Sequence, residues 1–356
     1  MMEYLDDDLQ DFHLGLQLQS SKQLKDRSNP FTTLLDTEFH DRFRLSKHTV
    51  YFLLTDIDKY LEYSSNRNCS VPPLNQLLVC LRFFATGTFQ IVVGDTAGVS
   101  TPTVCRIIKR VTSVLASLSH RFITFPTTDD DKRTTMLNFY QIDRFPGVIG
   151  AIDCTHIPIQ SPGGENAELF QNRKRYFSIN VQCVCDAALH ITDIVARWPG
   201  ATHDATIFDS SRVRSRMEVS QSNCHLLGDS GYPCREYLLT PLAAPHTRAE
   251  KRYQGSHVTT RNTVERMFGV WKRRFPVLKM GLRINVHTAL RVIISTAVLH
   301  NIAQTNGEHE PSVCEAVPGH EDVEMECESP QEPGGTSKRA QLIVHFAHES
   351  GVENRA

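Results

Sequence analysis

No Cys-x-x-Cys pair occurs among the ten cysteines of this 356-residue chain. The commonest spacing for a thiolate metal site or a redox pair is therefore missing, and scattered free thiols point to a reducing, intracellular setting. Cys183 and Cys185 share one face of an expected strand, the pattern of core thiols rather than of metal ligands. No positively charged leader opens the chain, because "MMEYLDDDLQ" is acidic. No apolar run reaches the ~18 residues of a membrane span. The nearest, "ALRVIISTAVLHNIA", is interrupted by Arg291 and His300, so a buried helix is expected and no membrane partner. No internal repeat at a fixed period is found. Lys and Arg are absent from residues 306–336, which hold nine acids. The formal charge of −2 is thus a compensation, and without those nine acids the chain carries +7. A mildly basic body permits a polyanionic partner without requiring one. At 40% hydrophobic and 22% charged residues the composition is that of a soluble globular protein and names no function.

The pattern divides the chain into zones. Residues 1–40 carry no clear periodicity and are expected to be poorly defined. Residues 41–126 place apolar side chains at three and four spacing in "TVYFLLTDIDKYL", "PPLNQLLVCLRFFATG" and "TPTVCRIIKRVTSVLASLSHRF", which predicts an α-helical region. After a short helix near residues 134–142, "GVIGAIDCTHIPI", "YFSINVQCVCDA" and "HITDIVARWPG" read as three consecutive strands. A helix from Ala205 to Met217, a strand in "HLLGDSGYP", and helices over 260–275 and 286–304 complete a mixed α/β sheet domain spanning residues 146–304. Residues 306–337, acidic and rich in Pro and Gly, are expected to be disordered, with a short C-terminal helix at 338–348.

Within the helical zone, "DTAGVSTPTVCRIIKRV" (residues 95–111) predicts a helix ending at Gly98, Ser100 as N-cap and Pro102 in the next first turn. The string resembles a helix-turn-helix. In that reading Thr101, Thr103, Arg106 and Lys109 face DNA while Val104, Ile107 and Ile108 pack inward. The alternative, two bundle helices joined by a Gly turn, fits the same string.

Acids stand where apolar residues are expected. Asp153 interrupts the apolar strand "GAIDCTHIPI", where a buried charge costs several kcal/mol unless it is paired. A divalent cation would be one partner; backbone N–H groups or an Arg would be others. Asp229 follows a second apolar strand in "LLGDSGYP", although Asp-Ser-Gly is also an ordinary turn sequence. Glu265 borders the stripe Val264, Met267, Phe268, Trp271 and Phe275 of an expected helix, and Asn262-x-x-Glu265 also fits a capping box. Together the three supply hard oxygens of the kind that hold Mg²⁺ or Mn²⁺ for displacement at phosphorus.

Six stretches in order carry a specific resemblance: "GVIGAIDCTHIPI", "NRKRYFSINVQCVCDA", "WPGATHDATIFDSS", "LLGDSGYP", "LLTPL" and "RNTVERMFGVWKRRFPVL". Over about residues 146–304 the chain resembles the DDE endonuclease domain of PIF/Harbinger transposases and the nucleases domesticated from them. The resemblance implies an RNase H-like fold with Asp153, Asp229 and Glu265, spaced by 76 and 36 residues, as catalytic and metal-binding residues. It implies Mg²⁺ or Mn²⁺ as cofactor, DNA as substrate, a separate Myb-like nuclear DNA-binding protein as partner, and a nuclear location, with the cytoplasm as a second compartment. Asp204 in "ATHDATIF" is either an accessory acid at the metals or a helix cap, and the cap is preferred here because a first-turn Asp is common. Asp186 and His190 fall in an expected hairpin turn and read as structural, as do His300 and Asn301 in the last helix. His156 either touches phosphate or fills the strand end.

From Arg248 to Arg283 the chain has ten Lys or Arg and two acids. Lys272 and Arg273, with Arg173, Lys174 and Arg175 of "NRKR", are candidates to line a phosphate channel, against the plainer reading of solvated charge. Two functions compete: a metal-dependent DNA endonuclease, and a catalytically silent DNA- or protein-binding adaptor that kept the fold. An unrelated metal-dependent phosphatase is disfavoured by the order of the six motifs.

Overall fold

The computed structural model describes residues 30–63, 70–220, 223–310 and 331–352. Residues 1–29 and 311–330, for which a poorly defined segment and disorder are expected, lie outside the described residues.

Apolar spacing builds the helical region. Helices α1 (Asp36–Phe43), α2 (Lys47–Leu61), α3 (Pro73–Thr86), α4 (Gln90–Ala97) and α5 (Thr101–Ser117) bury one face each, and α3 is apolar nearly all round and central. Ser46 caps α2, its side chain accepting from the Thr49 amide at 3.1 Å. Helix α6 (Asp129–Asp143) starts at Thr128, with Asp129, Asp130 and Asp131 favourably placed in its first turn. It is longer than the sequence pattern suggests because polar residues, invisible to periodicity, form its first turn.

Strands β1 (Val148–Pro158), β2 (Ser178–Cys185) and β3 (Ile191–Pro199) form an antiparallel meander, and β4 (His225–Leu227) and β5 (Leu238–Leu239) run parallel to β1. The sheet order is β3-β2-β1-β4-β5, which puts β1 in the middle. This is the expected α/β, RNase H-like mixed sheet flanked by helices and preceded by a helical region. Gly150 is required in β1, since a Cβ there would lie 2.5 Å from Val184 and 2.9 Å from Leu226.

The strand alternation sends Ala151 and Ile157 into one core with Val264, Met267 and Trp271 of α9 (Arg248–Arg274). Ile152, and Ile149 at the register irregularity between Val148 and Gly150, enter a second core with Phe208 of α7 (Asp204–Asp209) and Val213 and Met217 of α8 (Arg212–Val219). The single helix expected over Ala205 to Met217 is therefore two. It breaks at Ser210 and Ser211, where the Ser211 hydroxyl accepts from the Arg214 amide and starts α8. Helix α9 likewise begins well before residue 260, with a capping box between Thr247 and Glu250. Asn262 is consequently mid-helix, and the box expected between Asn262 and Glu265 does not form.

The helical region and the sheet share one continuous core. Helix α10 (Val286–Thr305) joins them: it packs on α5 and β3, and its Ser295 hydroxyl donates to the Thr112 carbonyl of α5 at 3.0 Å. By length and composition α10 could cross a membrane, yet 72% of its most apolar window is buried inside the protein. Asn301 clamps β3, accepting from the Ile191 amide and donating to its carbonyl, and His300 donates to Leu189 through Nε2. The short helix expected at 338–348 is instead α11 (Pro333–Val352), packed on α9 and β5. Its fully buried Phe346 meets Phe145 and Tyr253 at ring separations of 5.7 and 6.1 Å.

Two predictions follow from the packing. Phe346→Ala should cost about 3–5 kcal/mol in urea unfolding, the range for deleting a buried aromatic. On β3, burial pushes the Asp193 carboxyl up to about 6, with Arg216 and Arg212 only partly offsetting it. The folded protein therefore holds this proton more tightly than the unfolded chain, and ionisation costs stability progressively as pH rises through that value. Asp193→Asn should raise the melting temperature at pH 7.5 and leave it nearly unchanged at pH 4.

Candidate active site

Asp153 points from β1 toward α9 and is 8% exposed. Its Oδ1 accepts from the Cys154 amide at 2.7 Å, and its Oδ2 accepts from the guanidinium of Arg261 on α9 at 2.9 Å. The same guanidinium donates to Glu265, one helical turn further on. Residues 261 and 265 share a helix face, so α9 presents a cation and an acid together to the middle of β1. Glu265 itself is half exposed, at the edge of the apolar stripe that seats the helix.

The parallel register brings in the second acid. Ala151 pairs with Leu227, so two residues onward Asp229 arrives at the level of Asp153, just past the end of β4. There Asp229 closes a turn by accepting from the Gly231 amide at 3.1 Å. A Cβ on Gly231 would sit 3.2 Å from that carboxylate, so glycine leaves it room.

His203 is the N-cap of α7 and makes no side-chain cap bond, and Asp204 follows it as the first residue of the helix. The Asp204 Oδ1 accepts from Asn180 Nδ2 of β2 at 2.8 Å, while the same amide donates to the Thr202 carbonyl. Asp204 thus stands in the first turn of α7, the position the helix-end reading expects, and its carboxylate is also held by an asparagine of β2.

Charge ties these residues together. Burial pushes the Asp153 carboxyl well above the usual range; Arg261 opposes the shift, and the like charges of Asp229 and Asp204 add to it. Beneath the acids lies the buried phenol of Tyr232, 3.3 Å from Cys154 Sγ, its own ionisation suppressed by burial and by the same carboxylates. Sequence reasoning missed both Arg261 and Tyr232. Arg261 was legible as an i, i+4 partner of Glu265; Tyr232 stands three residues after Asp229 but gave no pattern of its own.

The basic candidates separate. Lys272 lies on the same side of α9 as Glu265 and reaches β1, donating to Thr155 Oγ1 at 2.5 Å. Arg273 turns away to Glu310, at 2.7 Å, and does not join it. Arg173 meets His203 Nδ1 at 2.7 Å, beside Asp204, whereas Lys174 and Arg175 stay exposed in the turn before β2. His156 contacts Ser178 Oγ at 3.1 Å, and Asp186 and His190 pair within their hairpin turn. Cys183 and Cys185 are buried core residues. In the helical region α4 ends at Gly98 with φ 64°, Ser100 starts α5, and Val104, Ile107 and Ile108 are buried. Arg106 and Lys109 are exposed on α5, which carries no acid. A Cβ on Gly94 would lie 2.6 Å from the Val99 carbonyl, so the tight turn needs glycine.

Four carboxylates offer the hard oxygens that suit a divalent cation. Among the described residues no three His, Cys, Asp or Glu side chains are gathered closely enough to hold a metal in this conformation. The positive charge between Asp153 and Glu265 is that of Arg261. The donors fit the ion in kind, with a guanidinium at their centre.

The fold is of the class described as DDE superfamily endonuclease, and the family model of that description matches residues 152–301. The chain is 32% identical over 262 residues to the Homo sapiens protein named Putative nuclease HARBI1, covering 72% of this chain and 75% of that one. It is 33% identical to the Mus musculus protein of the same name, with the same coverage. The Arabidopsis thaliana Protein ALP1-like is 24% identical over 289 residues, covering 74% of this chain and 70% of that one. The chain belongs to this family of Harbinger transposase-derived nucleases. No solved structure matches it significantly.

The electrostatics of Asp153 can be read directly. In the metal-free protein, a carboxyl-carbon NMR titration should show, besides Asp193, a second Asp, Asp153, that ionises well above the normal carboxylate range. Asp204→Asn and Asp229→Asn should each lower that value by removing a like charge, and Arg261→Ala should raise it.

Proposed function

We propose that the protein is a metal-dependent DNA endonuclease that hydrolyses phosphodiester bonds at Asp153, Asp229 and Glu265. The observation that carries this reading is the meeting of acids from β1, the β4 turn and α9, with Asp229 acting on Asp153 and Arg261 joining Asp153 to Glu265. These three side chains would hold Mg²⁺ or Mn²⁺, with Asp204 as an accessory acid steadied by Asn180. The chemistry such ions supply when bound is activation of a water and stabilisation of the leaving oxygen, the two-metal pattern.

The remaining roles belong to the chain. Tyr232, buried against Cys154, supports β1 from the side of the sheet away from α9. Lys272 beside Thr155 and Arg173 beside His203 flank the acids with positive charge, where a phosphodiester backbone would run. Arg106 and Lys109 on the acid-free face of α5 supply a second contact with duplex DNA, with Lys174 and Arg175 as further phosphate contacts. The same reading takes the nucleus, with the cytoplasm as a second compartment, as the location and a Myb-like DNA-binding protein as partner, both carried by the family resemblance. A silent adaptor is the second reading, favoured by the guanidinium seated among the acids.

Purified protein with Mg²⁺ or Mn²⁺ should nick supercoiled plasmid. Asp153→Asn, Asp229→Asn and Glu265→Gln should each abolish nicking while circular dichroism shows an intact fold; DNA binding without nicking, unchanged in all three, would favour the adaptor. Arg106→Ala and Lys109→Ala should weaken DNA binding and each reduce the slope of log affinity against log salt by about 1.

A further inference from the structure

Arg261 does for the acids what a metal ion would do. Its side chain is 8% exposed and lies against Asp153 of β1 and Glu265 of α9 at once, so one guanidinium bridges two carboxylates and offsets part of their charge. Without a cation, Asp153 in the middle of the sheet would face Asp229 and Asp204 with its charge uncompensated. The planar fork of arginine allows both contacts from one side chain, which the point charge of lysine does not.

The helix carrying Arg261 is fixed at both ends. The Thr247–Glu250 box holds its start, and near its end Arg274, fully buried, donates to the carbonyls of Arg44 and Glu308. Any exchange of Arg261 for another cation is therefore a side-chain movement rather than a shift of α9. In the described conformation the acids do not gather into a metal cluster, and the guanidinium spans two of them.

We propose that Arg261 is a built-in counter-cation of the metal-free site, and that metal entry is coupled to its release from Asp153 and Glu265. This inference rests on the reading of those acids as metal ligands. The protein keeps a stable fold without metal because Arg261 occupies the acids, and every metal ion that binds must first displace it. The consequence is a metal affinity weakened by competition from within the chain.

The test is Mn²⁺ binding at pH 8 without DNA, followed by the electron paramagnetic resonance signal of free Mn²⁺, in wild type, Arg261→Ala, Arg261→Lys and Asp153→Asn. Arg261→Ala should bind Mn²⁺ on the order of ten-fold more tightly, the factor equivalent to about 1.4 kcal/mol and close to one charge-assisted hydrogen bond. Arg261→Lys should fall between it and wild type, and Asp153→Asn should lose binding. In parallel, Mn²⁺ should raise the melting temperature of Arg261→Ala more than that of wild type. Equal or weaker binding by folded Arg261→Ala, with wild type and Asp153→Asn differing, would overturn the proposal and leave the metal site standing. No binding by wild type or by either Arg261 variant would overturn both. If Arg261→Ala does not fold, the same comparison with Arg261→Lys decides, and affinity equal to or below that of wild type overturns the proposal.

Discussion

A carboxylate in the middle of a central strand is the constraint around which the rest of this structure is arranged. Strand β1 is buried along most of its length, and at Asp153 it carries a group that water would ordinarily solvate. Several kcal/mol separate a buried charge from a paired one. The fold answers with the Cys154 amide on one oxygen and the Arg261 guanidinium on the other. It then brings Asp229 and Asp204 close enough to oppose ionisation again. Both oxygens are thus paired, while burial and the neighbouring carboxylates keep the ionised form unfavourable.

Helix α9 is the spine that makes the arrangement rigid. It carries Arg261, Glu265 and Lys272 along one side, packs Val264, Met267 and Trp271 on the sheet, and ends at Arg274, which donates to the carbonyls of Arg44 in the helical region and of Glu308 past α10. Glu308, just past α10, caps the start of α2, accepting from the Ser46 amide and hydroxyl. These contacts, with the continuous core across α5 and α10, tie the exposed face of α5 to the acids through packed side chains rather than a linker. The position of α5 relative to the acids is thus set by packing.

Much of this was legible from residue patterns. The apolar strand broken by Asp153, the Gly98–Ser100 turn and the stripe beside Glu265 are local signals, and six motifs in order point to the family. Other features were not. The polar first half of α9 hides its start, which made Asn262 look like a cap. The serines that divide α7 from α8 do not disturb the apolar period. Phe346 anchors α11 in the core, while its neighbours in sequence carry no sign of what they pack against.

The sequence by itself determined which residues could be strands and helices and which acids were out of place, because those properties depend on neighbours along the chain. Only the tertiary structure decided how the acids are paired. The parallel register of β1 with β4, the hold of Asn180 on Asp204 and the reach of Arg261 across to Asp153 each join residues far apart in sequence. The strength of a charge interaction depends on distance and burial, and neither exists until the chain has packed.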